Sequence, residues 1–297
     1  CPNWDDFANR TLEFIIEHDC FSYAELAQVK HLSPRIKLSI AKSIALEKSL
    51  NIDFSKILAP SKKGYDNPEG VHLYTSLSKL SKTFVTTNYD RWLDTIPASS
   101  LITAAPSASK PSGGGGKRKI FYKAQDFTPA NLATEDTVIH LHGSVEAPDH
   151  MIMTTQDYIA LYANDRRTEA ENPTLRFLEH LFQSGMYTVL FIGYGLEELE
   201  ILEYIVQKAK SGSLDKPKVI NHFILQGFFS HEEKLSEGLE RYYREECGIQ
   251  LIPFSLDQKN WNQLLDVLEY IAKKLIVKTA TISEQQLKMD KLFDEEA

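Results

Sequence analysis

The sequence predicts an α/β fold of Rossmann-like type, a largely parallel sheet with helices on both faces, and two observations carry that reading. First, short runs rich in β-branched and aromatic residues recur after residue 81: KTFVTT at 82–87, TVIHLHG at 137–143, YTVLFIGYG at 187–195, KVINHFILQG at 218–227 and GIQLIPFSL at 248–256. Second, stretches with helical spacing lie between the later runs, at 174–184, 196–210, 230–246 and 258–276. Strands that alternate with helices form crossover units, and crossovers make neighbouring strands parallel.

The first eighty residues read as a helical insertion ahead of this alternation. Trp4 to His18 carries Phe7, Leu12, Ile15 and Ile16 near helical spacing. Ser22 can cap a second helix through Leu32, and Ser33-Pro34 suits the start of a third through Leu50, because proline is tolerated in a first turn. This part reads as bulk. The stretch from Pro97 to Thr128 contains ASSLITAAPSASKPSGGGGKRK and reads as an exposed, mobile loop. Its glycine run Gly113–Gly116 has neither a strand before it nor a helical pattern after it, so it does not read as a phosphate cradle. Residues 1–276 are expected to form one catalytic domain, with 277–297, including ISEQQLKMDKLF, as a helical extension or linker.

Composition narrows the classes. The chain has 297 residues, 42% of them hydrophobic and 25% charged, enough for a substantial core. The 33 basic and 41 acidic side chains give a net charge of -8, the wrong overall sign for a protein held by nucleic-acid phosphates. No apolar run has the length of a membrane span. Cys1, Cys20 and Cys247 show no CxxC spacing, which argues against a disulfide framework and a cysteine zinc site and predicts a reducing cytoplasm. The opening Cys1-Pro2-Asn3-Trp4 reads as a start inside a longer protein.

Ligands of open parallel sheets bind beyond the carboxyl ends of the strands. Three polar clusters fall at such ends: Thr86-Thr87-Asn88-Tyr89-Asp90, His142-Gly143-Ser144 and Gly193-Tyr194-Gly195. In one parallel sheet all three would converge on one crevice. Asp90 could orient a catalytic network or cap the next helix. His140 and His142 share a face of their strand, an arrangement that can bind metal, yet no third ligand is in view and no metal is expected. His140 reads as a core histidine with one hydrogen bond. His142, with a glycine after it that lets a ligand approach the backbone, reads as a proton acceptor. The loop at Gly193 and Gly195 leads into Glu197, Glu198 and Glu200, which suits ribose hydroxyls over pyrophosphate, or plain helix capping.

TTNYD, HLHG and FIGYG, in this order and at strand ends, resemble the sirtuin-like family, especially its branch in bacterial antiviral defence. In that family a T-x-N-x-D segment, a catalytic HG and a later glycine loop surround bound NAD. The resemblance implies Asn88 and His142 as catalytic residues and Thr87, Asp90, Gly143, Gly193 and Gly195 as contacts to NAD, the substrate. Family members open with a strand and a GAGxS turn that holds the pyrophosphate; CPNWDDF resembles the segment just after that turn. Protein-deacylating sirtuins carry four zinc-binding cysteines and PDFR, and this chain has three cysteines and PNWDD. The resemblance therefore favours an NAD hydrolase that releases nicotinamide and ADP-ribose, in a homo-oligomer with a regulatory partner or fused domain. A protein deacylase, and a non-catalytic sensor of NAD or ADP-ribose, are the alternatives. Asn88 and His142 are expected to serve chemistry more than folding.

Overall fold

The computed structural model describes residues 2–60, 64–96, 118–162, 172–183, 185–194 and 222–274. The chain is α/β, and its strands run parallel as expected. Among the described residues they form two three-stranded sheets. In the first, β3 (Thr137–His140) lies between β1 (Thr83–Thr86) and β2 (Lys119–Phe121). In the second, β5 (His222–Phe228) lies between β4 (Leu190–Ile192) and β6 (Ile249–Ser255). Strand β3 is buried along its whole length, as a central parallel strand covered on both faces must be. The sheets share one core, in which Ile139 and Leu141 meet Phe177, Leu178, Phe191, Ile224 and Ile249. Each such side chain contributes about 1.5–3 kcal/mol on burial.

Strand β2 corrects the reading of Pro97 to Thr128 as a loop throughout. Lys119 to Phe121 pairs with Thr137 to Ile139, and Arg118 just before it is only 5% exposed. Its Nε donates to the Ile96 carbonyl and its Nη2 to Ser78. A strand of three residues gives little periodic signal, and its basic neighbours hide it. The remainder of that stretch up to Lys117, including Gly113–Gly116, lies outside the described residues, as do the helix expected at 196–210 and the segment 277–297.

The N-terminal helices obey the capping chemistry. Helix α1 (Trp4–Glu17) starts where Asn3 Oδ1 accepts the Asp6 N–H at 2.8 Å. Helix α2 (Tyr23–Val29) has the reciprocal box of Ser22 and Glu25, and α3 (Pro34–Glu47) begins with proline in its first turn. Helices α4 (Phe54–Ile57) and α5 (Pro68–Ser78) complete this part. It is more than bulk, since Phe7, Leu38 and Leu58 pack on Tyr89, Val145, Met151 and Met153 and so cover the loops that leave β1 and β3. Two short helices, α6 (Trp92–Thr95) and α7 (Pro129–Leu132), lie between β1 and β3 in the chain. Among the described residues no helix is long and apolar enough to cross a membrane.

The β1 and β3 ends are level, with Thr86 opposite His140. The pairing continues beyond the strands, where the Leu141 N–H donates to the Thr86 carbonyl at 2.8 Å and the Val145 N–H to the Tyr89 carbonyl at 3.0 Å. Gly143 makes the turn between these bonds at φ +84°, and a Cβ there would lie 2.3 Å from the His150 carbonyl oxygen. Its missing side chain is thus needed by the chain itself. Gly143→Ala should destabilise the fold by about 1–3 kcal/mol or more, from the left-handed backbone and the clash. Urea unfolding of the variant checks this, and unchanged stability would show that the turn relaxes freely.

Candidate active site

A cavity of about 370 Å³ opens where β1 and β3 end. Its polar side is formed by Thr87, Asn88, Asp90 and His142, and its apolar side by Trp4, Phe7, Leu58, Tyr74 and Trp92. The volume lies at the low end for small-molecule pockets and suits one nucleoside-sized portion of a ligand. The aromatic walls are mutually braced. Tyr74 and Trp92 stack at 5.3 Å with 2° between planes, and Trp4 lies 5.8 Å from both Phe7 and Tyr89. Gly70 on α5 makes room for this, because a Cβ there would meet the Trp92 ring at 2.3 Å.

Asn88 is exposed at the mouth of the cavity, and its side-chain amide makes no hydrogen bond with the described residues. Its backbone is held instead. The Asn88 N–H donates to Thr86 Oγ1 at 3.1 Å, and its carbonyl accepts from His140 Nδ1 at 2.9 Å. His140 Nε2 lies 2.9 Å from Asp94 Oδ1, in an ion pair whose imidazole is 0% exposed. Burial alone would depress the His140 pKa, but the Asp94 hydrogen bond and charge, with the Asn88 carbonyl, outweigh it and raise the pKa. His140 therefore makes two hydrogen bonds, where the sequence suggested one. Removing either partner of such a buried pair typically costs about 3–5 kcal/mol.

His142 has the opposite electrostatic character. It is 2% exposed, and burial together with the Arg35 guanidinium lowers its pKa to about 3. The ring is thus a neutral imidazole at physiological pH. Nε2 lies 2.8 Å from the Tyr162 hydroxyl and Nδ1 3.3 Å from the Tyr158 hydroxyl. Both tyrosines stand on α8 (Thr155–Tyr162). So deep a position means that His142 also serves packing, contrary to the expectation that it serves chemistry with little share in folding. The two histidines, two residues apart, differ because one ring meets a carboxylate and the other meets hydroxyls and a nearby cation.

Asp90 bonds the start of the next helix and also borders the cavity. Its Oδ1 accepts the Trp92 N–H at 2.9 Å at the start of α6, and the residue lines the cavity. Burial raises its pKa and the neighbouring Asp94 adds to this, against the Trp92 N–H and the charge of His140. Burial also pushes up the Tyr74 phenol across the cavity.

Gly143 and Gly193 do not line the cavity. The space on the Cβ side of Gly143 is filled by the His150–Met151 backbone, so the missing side chain there makes room for the chain itself. Gly193 has φ +65° with open space beside it, but it comes after β4 in the second sheet and does not line the cavity. Gly195 lies outside the described residues. The third side of the crevice comes instead from Pro2, Asn3, Trp4 and Phe7 at the head of α1. Sequence reasoning missed these residues, together with Tyr74, Trp92 and the two tyrosines of α8. The spacing of Tyr158 and Tyr162, one helical turn apart in DYIALY, was the available signal. Among the described residues no group of three histidine, cysteine, aspartate or glutamate side chains is placed to hold a metal.

No curated protein matches the chain. A family model described as the SIR2-like domain matches residues 82–252, from the residue before β1 into β6, and so includes both strand ends that supply Asn88 and His142. That match spans more than half of the 297 residues, and the chain belongs to the SIR2-like domain family.

Proposed function

We propose that the protein hydrolyses NAD to nicotinamide and ADP-ribose, as an effector of bacterial anti-phage defence. Family membership supports NAD use. The observation that carries the reaction is the charge of the cavity: among the described residues that line it there is no lysine or arginine, His142 is neutral, and Asp90 is the ionisable acid. Breaking the bond between the ribose anomeric carbon and nicotinamide develops positive charge on the sugar, while the electron pair leaves with a neutral base. A cationic wall would oppose that step. Flat aromatic walls suit the nicotinamide ring, which is cationic before cleavage.

In this reading Asn88 holds a ribose hydroxyl or the attacking water with its unengaged amide, and Thr87 and Asp90 bind alongside. The water oxygen bonds to the anomeric carbon as nicotinamide departs, and the water proton passes to His142. Residues 1–276 act as the catalytic domain, working as a homo-oligomer in the cytoplasm. A regulatory partner or fused domain restrains it, since unrestrained turnover would empty a cell of NAD.

The full-length protein, incubated with NAD, should release nicotinamide and ADP-ribose without any acylated peptide, read by chromatography. Strict dependence on an acetyl-lysine peptide would make it a deacylase, and tight binding without turnover would make it a sensor. Asn88→Ala should lower turnover by at least about a hundredfold with an unchanged melting temperature, because its side chain is exposed and unbonded; full activity would remove Asn88 from the chemistry.

The acid limb of the pH profile is set by His142. Its pKa lies below the ordinary value, so the ring stays neutral as pH falls through about 6.5, where a free histidine would take up a proton. Nicotinamide release per enzyme at pH 5.5 should therefore stay within about twofold of that at pH 7.5, where an ordinary histidine base would lose about tenfold. An inflection near pH 6.5 that vanishes in His142→Gln would contradict the neutral buried ring.

A further inference from the structure

Both nitrogens of His142 are occupied by phenols, so a hydroxyl in the cavity has no open ring atom to bond. Of the two phenols, Tyr158 lines the cavity beside His142, and Tyr162 is not among the described lining residues. Resting on the hydrolase reading, we propose that Tyr158 is a catalytic relay between the cavity and His142 Nδ1, and that Tyr162 is a positioning residue that holds the proton on Nε2.

The order of hydrogen bonds is dictated by the surroundings. The Arg35 guanidinium carbon, from α3, lies 3.7 Å from the centre of the Tyr158 ring. A cation over the ring face withdraws electron density and makes the phenol O–H a better donor. Tyr158 therefore donates to Nδ1. A neutral imidazole carries one N–H and one lone pair, so the ring proton sits on Nε2 and is donated to the Tyr162 oxygen. The charged and titratable groups around the ring include Tyr158 and Tyr162 from α8, Arg35 from α3, and Asp90 across the cavity.

Helix α8 is held at both ends, which fixes the phenols against the ring. At its start Asp157 Oδ2 accepts the Thr154 N–H at 2.9 Å and pairs with Lys42 at 3.3 Å. At its end Asn172 Nδ2 donates to the Leu161 carbonyl at 2.8 Å, while Asn172 Oδ1 caps α9 (Pro173–Gln183) through the Thr174 N–H at 2.9 Å. The proton step balances as two transfers. The attacking water gives its proton to the Tyr158 oxygen as Tyr158 passes its own proton to Nδ1, leaving the tyrosine neutral and His142 as imidazolium.

Two measurements on the full-length protein test this. Long-range ¹⁵N–¹H NMR with labelled histidine, assigned by the signal lost in His142→Gln, should show the neutral Nε2–H form in the wild type and a shift towards a mixture in Tyr162→Phe. A neutral Nδ1–H form in the wild type would overturn the bond order. In turnover, Tyr158→Phe should lower kcat at least about tenfold with KM within about threefold, since one relayed proton transfer is lost and the ring packing is kept. A fluorinated tyrosine at position 158, more acidic but of the same shape, should move the pH optimum for kcat to lower pH, and it replaces the phenylalanine variant if that one fails to fold. Wild-type kcat in Tyr158→Phe, or an unmoved optimum in the fluorinated protein, would overturn the relay. If the wild type does not turn over NAD, the hydrolase reading and the relay fall together, and the tautomer measurement still decides the hydrogen-bond order.

Discussion

The parallel pairing of β1 with β3 is the constraint on which the site depends. Because Thr86 is level with His140, the residues after each strand leave the sheet at the same height. Asn88 and His142, more than fifty residues apart in the chain, are thereby brought to one cavity. A slip of one residue would turn every side chain of β3 to the opposite face and exchange the environments of its polar and apolar residues. The bonds from Leu141 to Thr86 and from Val145 to Tyr89 extend the register into the loops, where regular pairing would otherwise stop.

Around that register the protein separates two protonation states within three residues. His140, under the sheet edge, is paired with Asp94 and bonded to the Asn88 carbonyl, and its charged form is favoured. His142, facing phenols, is held neutral. The first ring shapes the loop that carries Asn88, while both nitrogens of the second are bonded to the phenols of α8. Environments that push two like groups in opposite directions are a common way for a fold to assign separate roles to them.

The N-terminal helices bring most of the apolar side of the cavity, through Trp4, Phe7 and Leu58. The same residues or their neighbours cover the loops from β1 and β3, so closing the cavity and fastening the loops are one packing event. The family match begins at residue 82, and these wall residues lie outside it. The polar edge is thus the part shared with the SIR2-like domain, and the aromatic wall is supplied largely by the preceding segment of this chain.

What the sequence determined by itself was local and periodic: the strand runs, the helices α1 to α3, the parallel α/β class, and the polar residues Thr87, Asn88, Asp90 and His142 at strand ends. Each depends on neighbours within a few positions, where spacing and capping chemistry are readable. The three residues of β2 were too short for a period to show. Tertiary structure alone decided which polar ends meet. It placed Gly193 after a strand of a second sheet, filled the Cβ side of Gly143 with the backbone of His150, and set α8 against His142. It also decided the protonation of two histidines that look alike in HLHG, because a pKa depends on burial and on charges brought near by folding, and the sequence spacing of two rings does not contain either.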